Sequence, residues 1–553
     1  MISTGSMAPG LLGFHKQVQC PQCHYLFAFG VSFDESVDPD TLSAADSDVS
    51  DAFATCPNCG QVNIDVSAVP QNHGDQLLVH KHVFDLRRPE RWERVVFRNP
   101  ASPGESYVKR VVGLPAETLR IVDGDLYVGG EIARKSYENQ CDMRIPVFDV
   151  RFVPSAADWE LPWQMTGSWK FADGSLTTEN EKFGEKDNSD NNSQTESHSG
   201  SEDSWLSFHN WRWFGGDFPV EVPLAAKDAI PDWNAFLTRF DRIPVSWAAR
   251  VEYDRTAQVL RCDGVMPPEM QRDLISNAQS PIFQNAVYRL AAMSHLAPAT
   301  DRYGYNAMVS SPEYPVRDLF LKAELAWQVT PQAVQVNIPV RNEVFELHLD
   351  VSDGTAVLVS DSTRQAVRTG RFAVADSMDS ATSYRLTLEV SNFDLRVLVA
   401  IDGMQPFEPV DVPATVEQAL AFEESPAAVE SLANSDRHSR DVAAQQNRLA
   451  IGVSGAVRIE NLQLFRDVYY TPGRRKHAVE SDFTVPENCY FVHGDNSPVS
   501  FDSRSWDDPC VPHRLLVGKP FVVHLPSTPG RIRVGGRELP IRIPDFSRMR
   551  YIR

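Results

Sequence analysis

The 553-residue chain carries a formal charge of −21 and contains 38 Pro and 30 Gly. That length exceeds a single core and predicts two or three domains, and the acidic balance, with no strongly basic run to offset it, excludes a nucleic-acid binder. No apolar run approaches the roughly 18 residues of a bilayer-spanning helix, the first residues do not read as a secretory leader, and abundant turn residues with few helical periods predict a mostly β protein.

The chain opens on Ser3-Thr4-Gly5-Ser6-Met7-Ala8-Pro9-Gly10-Leu11-Leu12. Gly5 and Pro9 bracket Ser6 in a tight turn that can present a hydroxyl to a ligand, although a serine beside Gly and Pro is usually just a loop residue. Residues 14–69 hold four of the eight cysteines as two knuckles, Cys20-Pro21-Gln22-Cys23 and Cys56-Pro57-Asn58-Cys59-Gly60. Each CxxC turn offers two thiolates to one ion, which suits tetrahedral structural zinc. Two local disulfides or a redox pair are the alternatives, and the stretch between the knuckles is longer than usual. Its acidic, Ser-rich part, residues 34–52, reads as a flexible loop. Cys141, Cys262, Cys489 and Cys510 are isolated and read as ordinary buried thiols.

Strands are expected at 76–81 after a Gly74-Asp75 turn, at 94–98, and at Ser106-Tyr107-Val108-Lys109-Arg110-Val111-Val112-Gly113. Alternation puts Lys109 on the same face as Tyr107 and Val111. An ammonium among apolar neighbours is costly unless paired or neutral, so Lys109 is either a base made neutral by its surroundings or a rim lysine that reaches water. Strands at 118–122 and 126–128, joined by Asp123-Gly124-Asp125, complete an antiparallel meander.

The pattern weakens from 136 to about 205, where residues 188–204 read as disordered. From Val316 the alternation is clean. Leu319, Leu321, Ala323, Leu325 and Trp327 share one face, as do Phe345, Leu347, Leu349 and Val351, then Tyr384, Leu386, Leu388 and Val390, then Leu395, Val397, Val399 and Ile401. Such strands with regular turns predict a β-sandwich. Residues 414–447 read as a long loop with room for a helical turn, and short strands resume past Tyr470.

In order along the chain, Thr4-Gly5-Ser6-Met7-Ala8-Pro9, Gly74-Asp75 with Val79 and Lys81, Tyr107-Val108-Lys109-Arg110-Val111-Val112-Gly113-Leu114-Pro115, and Gly494-Asp495-Asn496 with Ser500, Asp502, Ser503 and Arg504 resemble the motifs of type I signal peptidases. The resemblance covers about 1–12, 74–135 and 485–525. It implies Ser6 as nucleophile and Lys109 as general base, with the Thr4 hydroxyl and the Ser6 amide holding the oxyanion. It further implies that Ser500 orients the lysine, that Asp502 and Arg504 form a supporting ion pair, and that Gly494, Asp495 and Asn496 shape the turn beneath the site. No cofactor is implied for catalysis. The substrates implied are secretory preproteins cut after a small-x-small sequence, at the cell membrane with the catalytic domain extracytoplasmic. A membrane helix normally precedes the nucleophile in this family, so an apolar segment upstream of Met1 is expected. The residues depart from the pattern at Gly10, where Thr is frequent, and at Ala116-Glu117, where Gly-Asp is common. A Ser-His-Asp triad using His80, His82 or His493 is the competing enzyme reading.

The expected architecture is a split antiparallel β peptidase core with an inserted zinc-ribbon-like module and an inserted β-sandwich. Its segments are the nucleophile segment 1–13, the four-cysteine module 14–73, the lysine-bearing core 74–135, an irregular insertion 136–315 with disorder over 184–205, a sandwich 316–470 and the C-terminal core 471–553. The sandwich resembles concanavalin A-like or laminin-G-like folds in strand pattern alone, with a glycan or a protein as its expected ligand class. The other readings are a non-catalytic binding protein with a decayed core and a self-cleaving regulator using the same Ser and Lys.

Overall fold

The strand Ser106–Gly113 lies inside an antiparallel sheet whose neighbours come from both ends of the chain. Across that sheet run Val511–Pro512, Cys489–His493, Ser106–Gly113, Arg94–Arg98, Leu516–Val523 and Arg550–Tyr551, with Leu77–His80 also pairing to Leu516–Val523. The core is therefore split in sequence and closed in space. Register sets Lys109 opposite Val95 and Arg110 opposite His493. Val95, Phe97, Val111, Tyr490, Val492, Trp506 and Val511 form one buried cluster along these strands. A smaller sheet adds the expected meander, Thr118–Val122, Asp125–Val128 and Glu131–Ile132, plus Phe483–Thr484 from the far side of the insertion. The computed structural model describes residues 1–31, 53–178, 203–215, 219–224, 251–254, 256–276, 278, 280–306, 313–374, 384–423, 448–524, 526–534 and 537–552.

Where a sandwich is expected, a nine-stranded and a seven-stranded sheet form, on a wider footing than the sequence pattern. The two sheets enclose one core that holds Leu321, Ala323, Leu325, Trp327, Phe345, Leu347, Leu349, Val351, Leu386, Leu388, Val390, Leu395, Val397, Val399 and Ile401. Both sheets recruit strands from the region read as irregular. Ile145–Asp149, Lys170–Ala172 and Ser175–Thr177 join one, and Trp163–Met165 and Ser204–Phe208 join the other. The 316–470 boundary is thus corrected: the sandwich draws on residues from Ile145 onward. These strands are short, and their burial comes from pairing with distant partners, so alternation over so few residues gives no signal.

Other described residues of the 136–315 insertion also form regular elements. A three-stranded sheet of Pro219–Pro223, Val259–Asp263 and Val251–Asp254 packs with helices Pro268–Ser276 and Pro281–Met293. In the second helix Phe283, Ala286, Val287 and Leu290 fall at helical spacing and are buried, and the Ser280 hydroxyl caps its start ahead of Pro281. Of the expected disorder over 184–205, residues 184–202 lie outside the described residues, whereas Ser204 and Trp205 begin a strand. The expected loop at 34–52 also lies outside them. So does most of 414–447, and within its described start the helical turn that the reading allowed is a helix, Val416–Glu423. Within 471–553, the hairpin Ser527–Val534 with Arg537–Pro544 forms a separate two-stranded sheet and is no part of the core sheet.

Ala116 has a φ of +66° in the turn that follows the lysine strand. A side chain there meets the carbonyl clash that makes left-handed backbone cost about 1–2 kcal/mol for an L-residue. Ala116→Gly should therefore stabilise the fold by about 1 kcal/mol, read as a higher denaturation midpoint at unchanged slope.

Candidate active site

The Ser6 turn is fastened from two sides. The Asn496 amide N–H donates to the Ser6 carbonyl at 3.0 Å, and Asn496 Nδ2 donates to the Gly5 carbonyl at 3.0 Å. Gly74 lies so close to the Ile2 carbonyl that a Cβ there would overlap it, and the Ile2 N–H donates to the Asp75 carbonyl at 2.9 Å. The fully buried Asp75 carboxylate accepts from the Leu12 N–H at 3.0 Å and from Arg548 at 2.7 Å. Gly74-Asp75 thus clamps both ends of the serine segment. The Thr4 hydroxyl donates to Ser6 Oγ at 3.3 Å.

Lys109 is 4% exposed. Its Nζ donates to Ser500 Oγ at 2.9 Å. Burial lowers its pKa to about 8, the nearby Asp502 and Asp495 working against that shift and Arg504 with it. Gly494 is the corner where the two halves meet: a Cβ on it would run into both Ser500 Oγ and the Ser6 carbonyl. Ser6 and Lys109 therefore approach the same glycine–serine corner. In this geometry the amine is hydrogen-bonded to Ser500 and the Ser6 hydroxyl to Thr4, with no hydrogen bond directly between the two. Such contacts are often long before substrate binds.

Asp502 and Arg504 form the expected ion pair, with both side chains buried. Arg504 Nη2 lies 2.7 Å and Nε 2.9 Å from the two carboxylate oxygens. Burial would raise the Asp502 pKa, but Arg504, with help from His493 and Lys109, holds the carboxyl well below its usual range. Asp502 Oδ2 also accepts from the Gly494 N–H at 3.0 Å, tying the ion pair to the corner. Asp495 faces a second set of cations: Arg110 grips it through two bonds of 2.7 Å, and Arg94 Nη2 lies 3.4 Å away. Asp142 joins the same network, bonding Arg94 at 2.8 Å and Arg110 at 3.1 Å.

The structure brings Thr4, Ser6, Lys109, Gly494, Asn496, Ser500, Asp502 and Arg504 into one region, with Asp495 beneath it. The histidine alternative finds no support in the geometry. His80 is exposed, and His82 bonds Asp85 on the surface. His493 is fully buried with neither ring nitrogen hydrogen-bonded, and burial lowers its pKa to about 3. Sequence reasoning missed Arg94, Asp142, Tyr305 and Asn306. Arg94 had a usable signal as a charge opening an apolar strand, whereas Asp142 lies in a short helix and Tyr305 and Asn306 sit deeper in the insertion with none.

The four knuckle cysteines come together away from this region. Their sulfurs lie within 4.8 Å of one another, with Cys20–Cys59 and Cys23–Cys56 at 3.7 Å. A tetrahedral zinc with bonds of about 2.3 Å sets its sulfurs about 3.8 Å apart, so the donor set fits that ion. No disulfide joins any of the eight cysteines. The knuckles are alike in backbone too: His24 and Gly60, each following the second cysteine of its pair, both have positive φ.

Residues 61–202 and 429–525 match the family described as Signal peptidase, peptidase S26. The chain is 36% identical over 69 residues to a probable signal peptidase I-2 of Synechocystis sp., covering 11% of this chain and 31% of that protein. It is 39% identical over 72 residues to signal peptidase I of Pseudomonas aeruginosa, covering 11% and 25%. The chain thus spans less than a third of the length of these curated relatives. The Ser6 turn lies outside both matched segments. Among solved structures, the galectin LEC-6 of Caenorhabditis elegans aligns with 26% of this chain and 81% of its own, at 13% identity and a TM-score of 0.17, a likeness too slight to bear on the fold.

Forcing an amine into this site has a measurable consequence for stability. The unfolded chain holds the Lys109 proton up to about pH 10.4, the folded chain only to about 8. Between those values the unfolded state binds more protons, so this lysine makes stability rise with pH. Below pH 8 its full cost of up to about 3 kcal/mol applies. Lys109→Met should therefore be more stable than the parent at pH 7, and the difference in denaturation free energy should shrink toward pH 10.

Proposed function

We propose that the chain carries a core of the type I signal peptidase family, which the family match and the similarity to signal peptidases support, and that it is a serine endopeptidase in which Ser6 attacks and Lys109 removes its proton. A serine hydroxyl is a weak nucleophile until a base takes its proton, and an ordinary lysine is too strongly protonated near neutral pH to serve. The observation that carries the reading is the buried Lys109 amine, hydrogen-bonded to Ser500 and denied an ion pair. As Ser6 Oγ bonds to the scissile carbonyl carbon, its proton passes to Lys109 Nζ. The carbonyl oxygen becomes an oxyanion, held by the Ser6 N–H and the Thr4 hydroxyl, and loss of one such donor typically costs about 100- to 1000-fold in rate. Collapse breaks the peptide C–N bond and the amine leaves with the proton from Lys109. Lys109 then takes a proton from water as the water oxygen adds to the acyl carbon, and it returns that proton to Ser6 Oγ as the ester C–O bond breaks and the acid leaves.

Secretory preproteins with a small-x-small sequence before the cleavage point are the proposed substrates, acted on at the extracytoplasmic face of the cell membrane. No described helix is long and apolar enough to cross a bilayer. The Cys20, Cys23, Cys56 and Cys59 set is assigned a structural zinc.

In a preprotein cleavage assay Ser6→Ala and Lys109→Ala should each lose activity by about 1000-fold or more, with folding intact by circular dichroism. Normal cleavage by either variant overturns the dyad. In the parent, kcat/KM should rise with pH to a limb near 8. Asp502→Asn removes a carboxylate that favours the ammonium and leaves Arg504 uncompensated, so its limb should lie at lower pH. Metal analysis of the purified chain should find one zinc per molecule, absent from Cys20→Ser, and a chelator should lower the melting temperature.

A further inference from the structure

We propose that residues 303–306, which belong to the insertion and fall outside both family-matched segments, form a positioning element for the nucleophile turn. The proposal rests on the reading of Ser6 as nucleophile. Asn306 and Asn496 exchange amide hydrogen bonds: Asn306 Nδ2 donates to Asn496 Oδ1 at 3.0 Å, and Asn496 Nδ2 donates to Asn306 Oδ1 at 2.7 Å. The second Nδ2 proton of Asn496 goes to the Gly5 carbonyl, and its backbone N–H goes to the Ser6 carbonyl. An isolated Asn496 amide could swap its oxygen and nitrogen ends with little change in shape. The Gly5 carbonyl selects the Nδ2 end of Asn496, and the two bonds to Asn306 hold that amide in place, so the donor stays where the serine segment needs one.

Tyr305 acts on the same turn through shape. It is 4% exposed and packs with Ala8 and Leu12. Its ring lies flat enough against the backbone that a Cβ on either Gly5 or Gly30 would overlap its Cε1. Its hydroxyl donates to the Phe14 carbonyl at 3.1 Å, and its carbonyl accepts the Gly30 N–H at 2.7 Å, so the ring is locked between the serine segment and the cysteine module. Tyr303 stacks on it at 6.0 Å with the planes 12° apart. Just upstream, the buried Arg466, on the sandwich strand Gln463–Arg466, donates to the Asp301 carbonyl at 2.8 Å. A continuous set of contacts therefore runs from the sandwich through residues 301–306 to the Gly5–Ser6 backbone. The insertion completes the support of the nucleophile that Gly74-Asp75 and Asn496 begin.

The test is steady-state cleavage of a fluorogenic peptide carrying a small-x-small site by the full chain. Asn306→Ala should lower kcat about 10- to 100-fold, the scale expected from a misplaced reacting group, while KM changes less than about twofold. The double variant Asn306→Ala/Asn496→Ala should be no slower than Asn496→Ala alone, because both single changes break the same amide pair. A melting temperature that falls while kcat stays at the parent value overturns the proposal, as do losses at 306 and 496 that multiply independently. Should Asn306→Ala not fold, Tyr305→Phe keeps the ring and loses only the bond to Phe14, and it must show the same kcat-selective loss. Tyr288→Ala, on an exposed face of an insertion helix, is the control expected to match the parent. If Ser6→Ala remains active, the nucleophile assignment itself fails. If Ser6→Ala is inactive and Asn306→Ala is fully active, only the positioning role does.

Discussion

The structure turns on one constraint: the Lys109 amine must be dry, and no carboxylate near it may be free to claim it. Two buried carboxylates lie close enough to raise its pKa, Asp502 and Asp495. Each is already satisfied, Asp502 by Arg504 and Asp495 by Arg110 and Arg94. A buried carboxylate without those arginines would take the ammonium as its counter-ion and hold the proton on it. The guanidiniums therefore do more than brace loops. They occupy the acids, so that the partner left for the amine is a neutral hydroxyl, Ser500.

That arrangement explains why the core is split. The lysine arrives on a strand near residue 109, whereas its hydroxyl partner and both carboxylates arrive between 495 and 502. Pairing of Ser106–Gly113 with Cys489–His493 is what joins them. Everything between can be elaborated provided that sheet closes, and the insertion is held against it by buried polar contacts as well as apolar ones. Asp142, at the end of the helix Tyr137–Met143, bonds both arginines of the Asp495 network, so the insertion shares charges with the core from its first helix onward.

How far the sequence could be read follows from the range of the interactions involved. The long sandwich strands were legible because alternation over eight or nine residues is a local property, and Leu321 to Trp327 fell on the expected face. Ser204–Phe208 was not, since its identity as a strand comes from pairing with Ala450–Ser454 across a gap of more than two hundred residues. The helix Pro281–Met293 was legible in principle, with a serine cap, a first-turn proline and apolar residues at helical spacing. It was lost among the polar stretches around it. At the site, side chains whose spacing within a motif matters, such as Asp502 and Arg504, were found together as expected. Tyr305 and Asn306 were not, because nothing near them in sequence reveals that they face Gly5 and Asn496.

A second buried lysine shows why burial alone does not mark a base. Lys135 is as enclosed as Lys109, and desolvation acts on it in the same direction. Its Nζ, however, lies 2.6 Å from Asp394 and 2.8 Å from Asp467, and those two carboxylates outweigh desolvation and hold its proton far above the usual range. Neither acid is taken up by an arginine side chain: Asp394 spends its other oxygen on the Lys135 backbone N–H, and Asp467 accepts the Val468 N–H. Lys135 is thus a structural cation that fastens the insertion to the core. The difference between the two lysines lies in what their neighbouring acids are already holding, which is a property of the folded network and not of the sequence around either lysine.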